Sequence, residues 1–251
     1  GMHVNERMIP QFEEKIIERK ADSQIVQDWK GNICEIGLEF TIEDLRNAVD
    51  FVTRSWIKCP VESDADWAAM KRRYNPDDPA RLPADAVALG AKLKNRTWPY
   101  SIGISGPFWQ MREWLGFENL CMAFYDKPEM IRDMVEFWTE YHVRLLSRAF
   151  QFCIPDEVHI SEDMAYKCFS MISPAMVREY LMPCYARWGR LIREAGVPIY
   201  GCDSDGFIGE LIPIWIEAGI NVCDPIEVAA GNDIVEFRRQ FGNKMGFNGG
   251  I

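Results

Sequence analysis

Acidic side chains recur in the second half of the chain, each time just after a short apolar run. They are Glu162 and Asp163, then Asp203 and Asp205, then Asp224 and Glu227, with Asn248 following the last run. Charge is costly to bury, so a strand that ends in carboxylates is expected to deliver them to water or to a ligand. Positioned carboxylates can hydrogen-bond a substrate, act as general acids or bases, or bind a cation. We therefore predict a catalytic group of four acids: Asp203, Asp205, Glu162 and Asp163.

Each of these acids also has a purely structural interpretation. Glu162 and Asp163 can cap a helix or close a loop, and Asp205 followed by Gly206 is typical of a simple turn. Asp203 and Asp205 are two residues apart, so on a strand their side chains share a face. Their position at a strand end favours a functional role.

Six further residues are candidates for substrate binding: Lys167, His159, Glu227, Asn248, Arg112 and Trp109. His159 alternates with apolar neighbours and is predicted to point away from them, although interior histidines are often structural. Lys167 can neutralise a substrate carboxylate or pair with the nearby acids. Arg112 beside Trp109 can hold a carboxylate or stack on a large ring. Glu227 can instead supply negative charge at the start of the next helix, and Asn248 can instead belong to a turn with the glycines that follow it.

Composition excludes several classes of function. The net charge of −10 and the pI near 4.9 argue against a nucleic-acid surface. No segment approaches the roughly 18 consecutive apolar residues of a membrane span. The eight cysteines are scattered without a C-x-x-C pair, so a structural zinc site with thiolate ligands is not supported. We expect the cysteines to be free thiols in a reducing cytoplasm. A site for a divalent metal with oxygen ligands remains an alternative.

Alternating strands and helices follow a different N-terminal region. Apolar pulses broken by turn residues predict a β-hairpin in the first 40 residues, and Ser63 or Asp64 is predicted to cap a helix. Parallel strands are predicted at five places, 98–105, 157–161, 198–203, 220–226 and 245–250, with helices between them. No G-x-G-x-x-G loop follows the first of these strands, which disfavours a dinucleotide-binding sheet.

Polar residues at the C-terminal ends of successive strands favour a (β/α)₈ barrel over a doubly wound sheet. We predict one domain over residues 2–251, with a hairpin-and-helix region at 2–80 and successive βα units at 81–251. About five barrel strands are predicted, whereas a closed barrel of this type has eight.

Three motifs carry a resemblance to a known family. The segments EDMAYK…ISP, DSDG and P-x-E occur in this order within residues 162–227. With the sequence GPFWQMREWLGF near residue 110, they resemble the uroporphyrinogen decarboxylase superfamily, which also holds corrinoid-linked methyltransferases. The resemblance implies a TIM-type barrel with its site at the C-terminal mouth. Members of that family are longer, so an incomplete copy is expected, with Gly1 ahead of Met2 as an expression-tag remnant.

The resemblance implies two activities, of which decarboxylation of a tetrapyrrole ranks first. In that mechanism acids at the mouth hold pyrrole N–H groups, but the arginine-rich N-terminal segment of true decarboxylases is missing. The alternative is methyl transfer from a small one-carbon donor, linked to a corrinoid protein as partner. The H-x-C pair of the zinc-dependent methyltransferases reads Asp203-Ser204-Asp205 here. A non-catalytic binding protein or inactive fragment, dimerising over open sheet edges, is the third interpretation.

Overall fold

The computed structural model describes residues 2–47 and 51–250 and divides the chain into two compact units. The larger unit comprises Gly1–Glu6, Pro76–Gln110 and Cys121–Ile251, and the smaller comprises Arg7–Asn75 and Met111–Leu120. Two helices, α4 (Pro107–Leu115) and α5 (Phe117–Asp126), contribute residues to both units. No helix in the described ranges combines the length and the apolar composition that crossing a bilayer requires.

The smaller unit is built on a four-stranded antiparallel sheet. In pairing order its strands are β1 (Lys15–Arg19), β2 (Ser23–Gln27), β3 (Ile33–Gly37) and β4 (Arg54–Lys58). Helices α1 (Ile42–Asn47) and α2 (Asp64–Lys71) complete it. The predicted hairpin is confirmed as the first part of this sheet, whereas β4 was not predicted.

Alternation explains how this sheet forms one core face. Val26, Cys34 and Ile36 are buried in a cluster with Leu45 and Val52, while their strand neighbours are half-exposed. One buried face and one wet face are typical of an antiparallel sheet.

Helix α2 begins where the sequence predicted a helix cap, at Ser63 or Asp64. The Ser63 side chain accepts a hydrogen bond from the Asp66 backbone N–H at 3.2 Å, and the Asp66 carboxylate accepts one from the Ser63 N–H at 3.1 Å. This reciprocal capping box confirms Ser63, of the two predicted candidates, as the cap of α2.

The larger unit is built on a parallel sheet with helices between its strands. The strands, which pair in chain order, are β5 (Ser101–Ser105), β6 (Glu157–Ser161), β7 (Ile199–Asp203), β8 (Val222–Ile226) and β9 (Gly246–Gly249). The helices are α3 (Ala86–Lys94), α6 (Pro128–Phe150), α7 (Pro174–Met176), α8 (Met182–Glu194), α9 (Ile212–Ala218) and α10 (Ile234–Phe241). All five predicted parallel strands are confirmed.

In the described part of the chain the parallel sheet is open, with the five strands that were predicted and not the eight of a closed (β/α)₈ barrel. Strands β5 and β9 lie at the two edges, and no pairing between them closes the sheet. Closure needs strand number, tilt and stagger that fit each other, and the barrel of this type has eight strands. The five strands therefore form an open sheet in which β5 and β9 are edge strands.

The two faces of the parallel sheet differ in chemistry. Ile102, Val158 and Cys202 are buried on the side that the helices cover. Their neighbours point to the opposite side, here called the open face, where Gly103, His159 and Gly201 lie side by side in register. Since parallel strands are usually apolar on both faces, this polar, glycine-rich face is a departure that points to a function.

The helix that begins after Ser173 is interrupted. Ser173 does cap it, accepting a hydrogen bond from the Met176 N–H at 3.2 Å. A π-helical turn then spans Val177–Leu181 before α8 begins. Pro183 in the first turn of α8 has no N–H to donate, and a widened turn is one way to accommodate such a residue.

Candidate functional site

Carboxyl groups meet at the C-terminal ends of β6, β7 and β8. Ser161, Asp203 and Asp224 are neighbours in register across these strands. Because the strands are parallel, the loops that leave them start at the same edge of the sheet. The acids predicted from separate stretches of sequence are therefore brought to one edge.

Glu162 lies in what we call the anchor cluster, which is its carboxylate, the Tyr185 hydroxyl and the N–H groups that begin α4. Its side chain is fully buried, at 0% exposure. It accepts hydrogen bonds from the N–H groups of Trp109 at 2.9 Å and Phe108 at 3.3 Å, and one from the Tyr185 hydroxyl. Gly106 leaves the necessary room, since a Cβ there would lie 2.2 Å from the carboxyl carbon of Glu162.

This arrangement gives Glu162 the helix-capping role that was its structural alternative. The N–H groups at a helix start need hydrogen-bond acceptors, and the helix dipole favours negative charge there. The carboxylate of Glu162 supplies both the acceptor atoms and the charge. Burial raises the pKa of Tyr185 well above its ordinary value, and the charge of Glu162 raises it further, so the hydroxyl stays a donor. The anchor cluster ties α4 and α8 to the end of β6.

The mouth cluster, which we define as Asp163, Asp203, Asp205 and Glu227, lies beside it and has a different character. Asp205 is exposed and the other three are half-buried. Asp163 has a positive φ of 43°, a conformation that costs free energy for a residue with a side chain and is often found at functional sites. Asp163 is half-buried at this turn, whereas the preceding Glu162 is fully buried.

Burial and, to a smaller extent, mutual repulsion raise pKa values in the mouth cluster. Burial raises the pKa of Asp203 above 3.8, the charges of Asp224 and Asp163 raise it further, and the Glu162 N–H and His159 offset part of this. Partial burial raises the pKa of Asp205, and the charges of Asp163 and Glu227 add to the increase. Groups whose charges are held close despite such repulsion are typical of sites that bind or react.

Loops tie the mouth together through backbone groups. The Gly206 N–H donates to the Glu227 carboxylate at 2.7 Å, and the Met164 N–H donates to the Ser204 hydroxyl at 3.0 Å. Asn232 donates to the Gly206 carbonyl at 2.8 Å. Ser204 is buried, so in the sequence Asp203-Ser204-Asp205 the middle residue fixes the loop.

His159 lies on the open face between two carboxylates. Its Nδ1 is 3.1 Å from Glu157 Oε1, and its Nε2 is 3.4 Å from Asp224 Oδ1. The second contact is an ion-pair distance without hydrogen-bond alignment, since Asp224 Oδ1 has no hydrogen-bond donor among the described residues. The ring crosses Gly201, where a Cβ would lie 2.6 Å from Nδ1. Only glycine leaves His159 this room.

The other predicted binding residues are placed differently. Asn248 donates to Asp224 Oδ2 at 3.1 Å, which adds it to the edge of the site. Lys167 is exposed at the tip of a short hairpin closed by the Ala165–Ser170 bridge. Trp109 is half-buried and reaches the anchor cluster through its backbone N–H, whereas Arg112 belongs to the smaller unit.

Sequence reasoning missed three residues of this region: Glu157, Tyr185 and Asn232. The spacing of Glu157 and His159 on one strand could have revealed the first, because residues two apart share a face. The other two come from a helix and a loop far along the chain, and no local pattern marks them.

A zinc site with thiolate ligands does not fit these residues. Cys202 and Cys223 are buried on strands β7 and β8, and burial raises the pKa of Cys223 to about 12. Thiolates are the form that binds zinc. Within residues 2–47 and 51–250, no group of three or more histidine, cysteine or acidic side chains is arranged to hold a metal ion.

Comparison with known proteins gives a fold relationship. No protein-family profile matches the sequence, and no curated protein is similar to it at a significant level. Among solved structures, the fold is similar to that of a methyltransferase from Methanosarcina mazei, with a TM-score of 0.59 and 14% sequence identity. The similarity covers 78% of this chain and 55% of that protein, so this chain spans about half of its length. At this identity the likeness establishes a shared fold.

Proposed function

We propose that this chain belongs to an enzyme of methyl transfer, with its substrate at the C-terminal ends of β6–β8. The observation that carries the proposal is the convergence there of the mouth cluster and His159 on an open, polar sheet face. Acid and base groups at strand ends are where α/β enzymes carry their chemistry. The methyltransferase fold of the structural neighbour supports this reaction class.

Asp203 is proposed as the central residue of the mouth. Its Oδ1 accepts the Glu162 N–H at 3.1 Å, which fixes the carboxylate, while its other oxygen is available to a ligand. Its raised pKa suits a group that exchanges a proton. Asp163, Asp205 and Glu227 are proposed to bind substrate N–H or O–H groups, and Lys167 and Asn248 to border the opening.

We rank methyl transfer above tetrapyrrole decarboxylation, which the sequence had ranked first. The neighbour supports the former, and the sequence lacks the arginine-rich segment of true decarboxylases. A corrinoid protein is the proposed partner, because reduced corrinoids accept methyl groups from small donors. The substrate would be a small methylated alcohol, thioether or amine.

Thermal unfolding with a ligand panel tests this function. The panel holds a methyl-corrinoid, small methylated donors and reduced uroporphyrinogen, and it is applied to the wild type, Asp203→Asn and the exposed control Glu194→Gln. A ligand at 100 times its Kd stabilises the folded state by about 2.7 kcal/mol. We expect the midpoint to rise with a methyl-corrinoid or a donor in the wild type and Glu194→Gln, and to rise less in Asp203→Asn. A shift with uroporphyrinogen alone, or with no ligand, would contradict methyl transfer.

A further inference from the structure

The chain has two well-placed histidines with opposite surroundings. His142 is fully buried, with Nδ1 3.2 Å from the Trp138 carbonyl and Nε2 2.9 Å from the Glu6 carboxylate. Trp138 and Trp188 pack against its ring. This is a fully satisfied core histidine, whose role is structural.

His159 differs from it in exposure and in the quality of its contacts. Its side chain is 21% exposed, and only the Nδ1 contact to Glu157 is a hydrogen bond. On the β5 side, a Cβ at Gly103 would meet nothing within 4 Å, so there is empty space beside the histidine's strand position. A partly exposed imidazole with one nitrogen fixed and the other loosely held is poised to react.

We propose that His159 is the proton donor of the proposed reaction and that Glu157 is its positioning residue. Glu157 accepts the Nδ1 proton, which holds the ring across Gly201 and presents Nε2 to Asp224 and to the mouth. Asp224 supplies a compensating charge at 3.4 Å. This inference rests on the proposed function for its chemistry, but the Glu157–His159 arrangement stands on geometry alone.

The proton is needed when the leaving group is poor. In a donor R–O–CH₃, the electron pair of a nucleophilic co-substrate such as a thiolate forms the new bond to the methyl carbon, and a corrinoid partner would supply an equivalent nucleophile. The C–O bond breaks and its electron pair stays on oxygen. The proton on Nε2 moves to that oxygen and gives R–OH, and the imidazolium becomes a neutral imidazole that regains a proton from water. General acid catalysis of this kind contributes about 10²–10⁴-fold.

Nitrogen-15 NMR of histidine-labelled protein tests the positioning claim without any substrate. Two-bond ¹⁵N–¹H correlations show which ring nitrogen carries the proton, and His159→Gln identifies the relevant signals among the three histidines. We expect Nδ1 of His159 to be protonated in the wild type and in Glu157→Gln, whose amide oxygen still accepts. Glu157→Ala should shift the population towards the tautomer with only Nε2 protonated. That tautomer in the wild type, or no change in Glu157→Ala, would overturn the proposal.

Leaving-group dependence tests the proton donor itself. A methyl sulfonium donor releases a neutral thioether and needs no proton, whereas a methyl ether or alcohol does. We expect His159→Gln to slow transfer from the oxygen donor by about 10²–10⁴-fold and to leave transfer from the sulfonium nearly unchanged. Equal losses with both donors would overturn the assignment. If no donor turns over in the wild type, the proposed function fails, while the NMR result still decides the positioning claim.

Discussion

Two groups of acids at one sheet edge have opposite surroundings. In the anchor cluster, Glu162 is fully buried and its oxygens accept three hydrogen bonds. In the mouth cluster, partial burial raises the pKa values of Asp203 and Asp205, and neighbouring acids raise them further. Residue type does not distinguish the groups. The hydrogen-bonded carboxylate holds elements of the fold together, and the carboxylates that lie among like charges are the ones proposed to bind a ligand.

The largest expected effect separates these roles by stability. Glu162→Ala removes the carboxylate that accepts from two helix N–H groups and from the Tyr185 hydroxyl, which keeps the weakly accepting Met164 sulfur at 3.7 Å, and each buried donor that loses its acceptor costs about 1–3 kcal/mol. We expect a loss of about 3 kcal/mol or more in the free energy of unfolding by urea. Asp205→Ala is the matched control and should cost under about 1 kcal/mol. Similar losses in the two variants would erase the distinction.

The next largest expected effect on stability comes from replacing Gly201, which lies in register with His159 and Gly103. Alanine at Gly201 would place a Cβ 2.6 Å from His159 Nδ1 and 3.0 Å from Glu157 Oε1. We expect Gly201→Ala to displace the ring and to cost roughly 1–3 kcal/mol, as overpacking does. Gly103→Ala meets open space and should change stability by about 0.5 kcal/mol or less. Denaturation curves that do not separate the two variants would contradict the placement of His159.

The smallest effect is the pH dependence of one mouth acid. Because the pKa of Asp205 is raised in the folded state, its ionisation there is unfavourable relative to the unfolded chain. Its contribution to stability is therefore lost as pH rises above 3.8, the ordinary value. Asp205→Asn should be more stable than the wild type near neutral pH, by under about 1 kcal/mol at this exposed position. Stability differences measured across pH should vanish near 3.8, and a difference of opposite sign would refute the repulsion.

Much of the fold could be predicted because it is local. The run EVHIS coincides with β6, and Ser63 and Ser173 cap helices as their residue types indicate. The helix between β7 and β8 begins only at Ile212, because Gly206 and its neighbours form a loop held by Asn232 and Glu227. Those partners come from beyond β8, and no local pattern reveals them.

The sequence predicted that these acids would lie at one sheet edge, but not that Glu162 and Asp163 would have different surroundings. Strand-end acids indicated the edge, since that rule follows from parallel topology. The separation of Glu162 from Asp163 depends on a helix start more than 50 residues away and on the positive φ of Asp163. Closure into a barrel also lies beyond local signals, because it depends on how many strands pair.

Transfer of a ¹³C-labelled methyl group is the most direct test of the central claim. The purified chain is supplied with a labelled methyl ether or alcohol and a reduced corrinoid or thiol acceptor, and NMR follows the label. We predict transfer by the wild type and by Glu194→Gln, and a loss of at least about tenfold in Asp203→Asn with an unfolding midpoint no lower than that of the wild type. No transfer to either acceptor, or full activity in Asp203→Asn, would contradict the account.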